Sequence, residues 1–224
     1  YFTGRGREFF GRWLARYDRY KPIVEPILES HGLPKDTLFL AMVESGFVSH
    51  ATSSAAAGGF WQFMPYTGRR FKLRQDKWVD ERRDFVKSTH AAAQYLTYLH
   101  KLFGHWHLAW AAYNAGEGRV GRALKRAKVD NYWSLIDKHD ILAKETEHYV
   151  PKIIAAAIVS KNRAHYGFIE VAKLSELLYE EVEVAYPVSL QRLAKHAKLP
   201  IDALKVLNPA LKMAVTPPGS TYTL

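Results

Sequence analysis

The chain has 224 residues, 48% of them hydrophobic and 24% charged, with a formal net charge of +10, six Trp, thirteen Tyr and no Cys. That length holds one core of ~150 residues with a small appendage, and the aromatic content is that of a folded chain rather than a disordered one. The missing cysteines exclude a disulfide scaffold, a thiol nucleophile and any cysteine-based zinc site, while the positive charge favours anionic partners: nucleic acid, lipid head groups or an acidic carbohydrate polymer.

The start, Tyr1-Phe2-Thr3-Gly4-Arg5-Gly6-Arg7, lacks the layout of a signal peptide, so a targeting segment of an exported protein is expected to lie outside this sequence. From Arg7 to Arg19, Phe9, Phe10, Trp13, Leu14 and Tyr17 interleave with arginines at a helical period, and Pro22 is expected to open a second helix running to about Ser30. His31-Gly32-Leu33-Pro34 is the break. Pro34 then starts the next helix, with Asp36 in its first turn, where negative charge suits the helix dipole. Glu44 stands at the end of that helix, in Glu44-Ser45-Gly46-Phe47, and Gly46 stops it. A Ser/Ala/Gly-rich loop runs on into Gly59-Phe60-Trp61-Gln62-Phe63-Met64-Pro65.

Asp84 to Phe103 reads as a long helix with Ala91, Tyr95, Leu96, Leu99 and Leu102 on one face. His105 to Ala115 differs: Trp106, Leu108, Ala109, Trp110, Ala111, Ala112 and Tyr113 make it apolar nearly all round, as in a helix buried within an α domain. Gly116 ends it. Another long helix is expected from about Thr146 to Arg163, with Pro151 tolerated near its start at the cost of a small bend.

After Gly167 the pattern changes. Val182, Val184 and Tyr186 are apolar at period two and Pro187 closes a strand; short helices follow at Ser189–Ala194 and Ile201–Pro209, and Tyr222-Thr223-Leu224 is expected to return as a strand. The terminal Ser220-Thr221-Tyr222-Thr223-Leu224 reads as the opening of a strand rather than a finish, so both ends are expected to be trimmed. The expected fold is mainly α, with a helical domain over 1–168 and a βααβ appendage of ~45 residues within 169–224, near the lower limit for independent folding. No run of 18 apolar residues occurs.

Glu44 carries the chemistry. Glycoside cleavage needs a proton delivered to a leaving oxygen, so the acid must be protonated near neutral pH. The negative end of the helix dipole and Leu40 one turn earlier both disfavour the carboxylate. From Ser45 through Gln75 there is no Asp or Glu, so the second carboxylate usual in glycosidases is missing from the sequence neighbourhood. One group able to quench the oxocarbenium character is the substrate itself: first its own acetamido oxygen, then its own C6 hydroxyl, deprotonated by the same Glu44. That is transglycosylation within one sugar, and it implies no cofactor. Taken singly, the surrounding residues keep ordinary readings: Tyr113 and Trp110 as core aromatics, Asn114-Ala115-Gly116 as a helix end, Ser53 as plain loop, Gln62 as a surface amide.

Together, Glu44-Ser45-Gly46-Phe47, Ser53 nine residues after the acid, Gly59-Phe60-Trp61-Gln62-Phe63-Met64-Pro65, Ala112-Tyr113-Asn114-Ala115-Gly116 and Glu145-Thr146-Glu147-His148-Tyr149-Val150 resemble the soluble lytic transglycosylase family over about residues 20–165. The resemblance implies a lysozyme-like α fold that cleaves the MurNAc-(β1,4)-GlcNAc bond of peptidoglycan and leaves a 1,6-anhydro-MurNAc end, with Glu44 as general acid/base. It makes Ser53 a residue that orients the acid and the substrate acetamido group, and puts Gln62 and Met64 along the groove. It sets Tyr113 beside the N-acetyl group, with Asn114 of the same motif binding substrate, and Glu145 and Tyr149 on the cleft wall. It implies glycan strands as partner, a monomer, no metal, and a bacterial envelope location in the periplasm; any outer-membrane anchor would come from a segment outside this sequence. One departure stands out: the family usually has Gly-Ala before the second Gly of the loop, whereas this chain has Ala56-Ala57-Gly58-Gly59. If position 56 takes a positive φ, Ala costs about 1 kcal/mol there, and Gly58 is expected to redistribute the turn.

Rival readings are a goose-type muramidase, whose second acid would have to come from Asp76, Asp80, Glu81 or Asp84, and a non-catalytic wall-binding module, against which the intact Glu44 counts. Arg69-Arg70-Phe71-Lys72-Leu73-Arg74 and Arg119, Arg122, Lys125, Arg126 and Lys128 match no nucleic-acid module and read as solvated faces, so no nucleic-acid partner is expected. His105-Trp106-His107 lacks a third metal ligand. The stretch Leu190 to Pro209 resembles a LysM-type glycan-binding repeat; a packing extension that buttresses the catalytic domain is equally open.

Overall fold

The computed structural model describes residues 1–138, 140–219 and 221–224. The break expected at Pro22 does not occur: one helix, α1 (Arg7–Ser30), contains Pro22 and Pro26. An interior proline costs about 3 kcal/mol in an isolated helix. Here the buried stripe Phe10, Trp13, Leu14, Tyr17, Tyr20, Val24 and Leu28 continues through both prolines. Burial of large apolar side chains at about 1.5–3 kcal/mol each offsets that cost, so packing overrides the local signal.

A 3-10 turn, Lys35–Thr37, follows Pro34 and leads into α2 (Leu38–Ser45), whose Leu38, Phe39, Leu40, Ala41 and Met42 are all buried. After the loop come α3 (Pro65–Arg70) and α4 (Phe85–Phe103), which Asp84 caps by accepting from the amides of Val86 and Lys87. Leu102, expected on the buried face of α4, is exposed; Phe103, four residues after Leu99, turns to the core instead. α5 (Trp106–Ala115) packs against α4, α6 (Glu117–Ala127) and α8 (Lys144–Lys161), and α7 (Tyr132–Ile136) lies beside α5 and α6. α8 contains Pro151 and packs on α2. The sequence patterns did not single out α3, α6 or α7 as elements: α3 and α7 are too short for a period, and α6 is a strongly charged segment whose buried side is mainly Val120 and Ala123. Among the described residues no helix is long and apolar enough to cross a membrane.

The C-terminal module is the expected βααβ. β1 (Glu183–Val184) pairs antiparallel with β2 (Tyr222–Thr223), in the register Val184 to Tyr222, with α9 (Leu190–Ala197) and α10 (Ile201–Leu207) between them. Val182 and Leu224 exchange both backbone bonds, at 3.0 and 2.9 Å, which extends the pairing by one step. Tyr186 falls outside the strand and is exposed, a correction to the longer alternation expected. Ser220, part of the expected strand opening, lies outside the described residues. The module's small core is Leu190, Ala210, Leu211 and Tyr222 completed by Val79, a residue of the helical region.

Candidate active site

Three things fix Glu44 in place from its own side of the groove. Gly46 closes α2 in the left-handed region at φ 58°, donating to Met42 O at 2.9 Å, and a Cβ there would lie 2.1 Å from Trp13 Nε1. No side chain fits at that position. The Ser45 hydroxyl donates to Phe60 O at 2.7 Å and accepts from the Val48 amide at 3.2 Å, tying the end of α2 to the loop. Arg16 donates to Gly46 O at 3.0 Å.

The loop itself is strained and strongly held. Phe47, Ala56 and Gln62 all occupy left-handed backbone, at φ 61°, 64° and 50°, each costing roughly 1–2 kcal/mol and persisting only where the surroundings determine it. Phe47 is buried among Tyr17, Tyr20 and Phe60. Gln62 donates from Nε2 to Gly59 O at 2.9 Å and Ala51 O at 3.3 Å. The Ala56 carbonyl accepts from Arg82 Nη1 at 2.8 Å. Position 56 therefore does take the positive φ that alanine resists. Gly58 does not redistribute the turn: it is outside the left-handed region, and its missing Cβ makes room for the Arg82 guanidinium, which an added Cβ would approach to 3.1 Å. The Ser53 hydroxyl accepts from the Ala57 amide at 3.1 Å and is exposed; Met64, at the start of α3, is exposed as well. Trp61 is fully buried, its indole N–H on Thr89 Oγ1 at 2.8 Å, and its carbonyl accepts from the Tyr113 hydroxyl at 2.9 Å.

The residues from α5 and α8 complete the site. Tyr149 is buried and donates its hydroxyl to Glu44 Oε1. Asn114 donates from Nδ2 to the exposed Glu145 at 3.4 Å and accepts from the buried Thr146 hydroxyl at 2.9 Å. Burial raises the Glu44 carboxyl from its ordinary value of 4.5 to about 7; the Tyr149 bond acts against the rise and the Glu145 charge adds to it. Burial and the Glu44 charge hold the Tyr113 and Tyr149 hydroxyls well above the ordinary phenol range, so both stay protonated donors. A value of about 7 leaves Glu44 partly protonated near neutrality, which is compatible with general acid catalysis.

Hydrogen bonds and charge link Glu44, Tyr149, Tyr113, Glu145 and Asn114 into one group; Gln62, beside Trp61, turns its amide to the loop's own carbonyls, and Ser53 is exposed on the same loop. The acids offered as a muramidase's second carboxylate are engaged elsewhere. Asp76 accepts from the amides of Trp78 and Val79, Asp80 from Arg82, and Glu81 from the Arg74 amide and Lys87, while Asp84 caps α4. The acid that does act on Glu44 is Glu145. His100 stacks on Trp106, His107 packs edge-on to Trp110 and Trp133, and no group of three potential metal ligands occurs among the described residues. Arg70 is paired with Glu117 at 2.9 Å. Sequence reasoning missed the Ser45 hydroxyl and Arg82. The available signal for Arg82 was Gly58 and Gly68, two glycines with no left-handed φ to account for them.

Known proteins resemble this chain in sequence and fold. The family model of the transglycosylase SLT domain matches residues 23–136, and that of the LysM-like domain of lytic transglycosylase MltD matches residues 179–224. Membrane-bound lytic murein transglycosylase D of Escherichia coli K12 is 36% identical over 213 residues, 93% of this chain and 46% of that protein. The chain thus spans about half the length of that curated relative. Among solved structures, an inactive Glu-to-Gln mutant of the lytic transglycosylase Slt of Pseudomonas aeruginosa matches with a TM-score of 0.54 at 27% identity, over 66% of this chain and 24% of that one. The 70-kDa soluble lytic transglycosylase of Escherichia coli shares the fold with a TM-score of 0.50 at 22% identity, over 62% of this chain and 24% of that one. Glu44, Ser53, Gln62, Met64, Tyr113 and Asn114 fall within the SLT match; Glu145 and Tyr149 lie beyond its end.

Proposed function

Because the chain belongs to the transglycosylase SLT family, we propose that it cleaves the MurNAc-(β1,4)-GlcNAc bond of peptidoglycan without water, using Glu44 as its single general acid/base. The observation that carries the reading is a carboxyl raised to about 7 with the Tyr149 hydroxyl bonded to it, followed by a loop with no acid between Ser45 and Gln75. Glu44 gives its proton to the glycosidic oxygen as the bond to C1 breaks, and the acetamido oxygen of the same sugar closes on C1. The Glu44 carboxylate then takes the proton of the C6 hydroxyl, whose oxygen attacks C1 and displaces the acetamido group. The products are a free GlcNAc hydroxyl and a 1,6-anhydro-MurNAc end, and Glu44 is again protonated.

In this reading Tyr149 and Tyr113 hold the acid and the loop carbonyl, and Ser53, Gln62, Met64, Asn114 and Glu145 contact the glycan. Residues 1–168 form the catalytic unit and 169–224 the appended module, whose LysM-like match supports a glycan contact. The same reading puts the protein in the bacterial envelope, on the periplasmic side, and takes it to act as a monomer.

A specific observation keeps hydrolysis as the second reading: Glu145 is close enough for its charge to act on Glu44. Mass spectrometry of products from purified peptidoglycan separates the two. Fragments ending in anhydro-MurNAc, one water lighter than hydrolysis products and absent with Glu44→Gln, are expected; ordinary reducing ends would mean a muramidase that recruits Glu145.

A further inference from the structure

Arg82 is bound to both ends of the loop that follows the catalytic acid. Its Nη1 donates to Ala56 O at 2.8 Å and to Phe63 O at 3.0 Å. Its Nε and Nη2 grip the two oxygens of Asp80 at 2.9 and 2.8 Å, and both side chains are about nine-tenths buried. Three glycines make the cradle: a Cβ at Gly58 would come within 3.1 Å of the guanidinium, at Gly68 within 3.2 Å of the side-chain stem, and at Gly59 within 1.7 Å of the Arg82 carbonyl oxygen. Both ends of the Ala56–Phe63 segment, with Gln62 between them, meet at this one planar fork, while Ser45, Thr89 and Tyr113 hold Phe60 and Trp61 in its middle.

Asp80, which aims the fork, is itself held by the C-terminal module. Its amide donates to Ala210 O at 2.9 Å, Lys212 N donates to Trp78 O at 2.8 Å, and Lys212 Nζ donates to Asp76 O at 2.9 Å. Val79 bridges Leu211 and is fully buried in the module's core. A continuous path therefore runs from residues 210–212 through 78–80 to Arg82 and on to the loop. A buried ion pair is weak grounds for stability, since similar-sized apolar side chains often do as well. What an apolar pair cannot do is satisfy two loop carbonyls at once, and lysine, a point charge, cannot do so while holding a carboxylate bidentately.

We propose that Arg82 is a positioning residue for the glycan reaction, locking the Ala56–Phe63 loop against Glu44, and that the C-terminal module is part of its mounting. The inference rests on the reading of the site as glycan-cleaving, and the test separates the two. Hydrogen exchange by mass spectrometry on the intact chain, with Arg82→Lys and Leu211→Asp beside wild type, reads the clamp without reference to activity; turnover of purified glycan strands reads its use.

Arg82→Lys is expected to speed exchange across 51–63 by about tenfold or more while α4 and α5 exchange as in wild type. It is expected to lower kcat by about 10- to 100-fold, as a loop displaced by an ångström or so does. KM should stay within about threefold, and the basic limb of the pH profile should not move, because the groups touching Glu44 are unchanged. Leu211→Asp should give the same loop signature in weaker form. Wild-type exchange in 51–63, or wild-type turnover from a loosened loop, overturns the proposal. Exchange accelerated equally in all helices overturns it too, reducing Arg82 to a stability residue. If the wild-type protein cleaves no glycan, the reading of the site falls and the catalytic half of the proposal with it, while the exchange result still decides whether the clamp exists.

Discussion

From Gly46 to Phe63 the chain beside Glu44 keeps three non-glycine residues in left-handed backbone and answers each with buried packing or a carbonyl bond. On the Asn114–Glu145 side, by contrast, the two side chains meet at 3.4 Å and Glu145 is exposed. One side of the site is preorganised backbone; the other is side chain that solvent and substrate can rearrange. Preorganisation is worth most where charge changes during reaction, and that is the side the acid sits on. Mutations should therefore divide by side: losses of structure and rate on the first, small shifts in electrostatics on the second.

The largest effect belongs to the acid. Glu44→Gln should lower turnover by about 10²- to 10⁴-fold, the range of a lost general acid, measured by release of glycan fragments. The same substitution should stabilise the protein, in a pH-dependent way. Because the folded carboxyl is raised from 4.5 to about 7, both states are protonated below about pH 4.5 and Glu44 contributes nothing. As pH rises to 7 the unfolded chain ionises first, so the native carboxyl becomes a penalty that reaches about 3 kcal/mol above pH 7. Glutamine removes that penalty. Melting of the variant should exceed wild type by several degrees at pH 8 and match it near pH 4. Equal gains at both pH values would mean that the acid is not held protonated.

Gly59→Ala comes next and tests the rigid side directly. At φ 80°, with its new Cβ 1.7 Å from the Arg82 carbonyl oxygen, the backbone must move. A cost of about 3–5 kcal/mol is expected, a fall in melting temperature on the order of 10 °C. The exposed Glu145→Gln should change stability by no more than about 0.5 kcal/mol. A mild Gly59→Ala would erase the distinction between the sides.

That division also governs how much the sequence alone revealed. Glu44, the Gly46 stop, the buried α5 and the βααβ order were all legible, because each is written in local chemistry: an acid at a helix end, a glycine in left-handed backbone, a period. The positive φ at Ala56 was raised only as a condition, from the glycine the resembled family usually has there, and the backbone meets it. What was illegible is carried across distance. Pro22 reads as a boundary until Val24 and Leu28 are seen in the core; Asp80 reads as a spare acid until Arg82 and Ala210 are seen around it. Tyr149 could be placed on a cleft wall by its motif, but its bond to a residue 105 positions earlier is a fact of the fold.

Tyr149→Phe sharpens the comparison because it removes the bond that crosses from one side to the other. The Tyr149 hydroxyl favours the ionised form of Glu44, so its loss should move the basic limb of the activity profile to higher pH. Turnover should still fall by about tenfold, since an acid without its hydrogen-bond partner is free to swing from the leaving oxygen. A limb that moved to lower pH would mean that the hydroxyl bonds the protonated acid instead.

The smallest effect is the most discriminating. The Glu145 charge raises Glu44, so Glu145→Gln should move the basic limb to lower pH, in the opposite direction to Tyr149→Phe. At pH 7 the loss in turnover should be within about threefold, and it should shrink as salt is added, because an exposed charge is screened over roughly 8 Å at physiological ionic strength. A second carboxylate that worked as base or nucleophile would behave otherwise: its loss would cost about 10²-fold or more at every salt concentration. A small, salt-sensitive shift is what a single-acid mechanism with an exposed acidic neighbour requires, and a large, salt-independent loss would turn that neighbour into the second catalytic acid of a hydrolase.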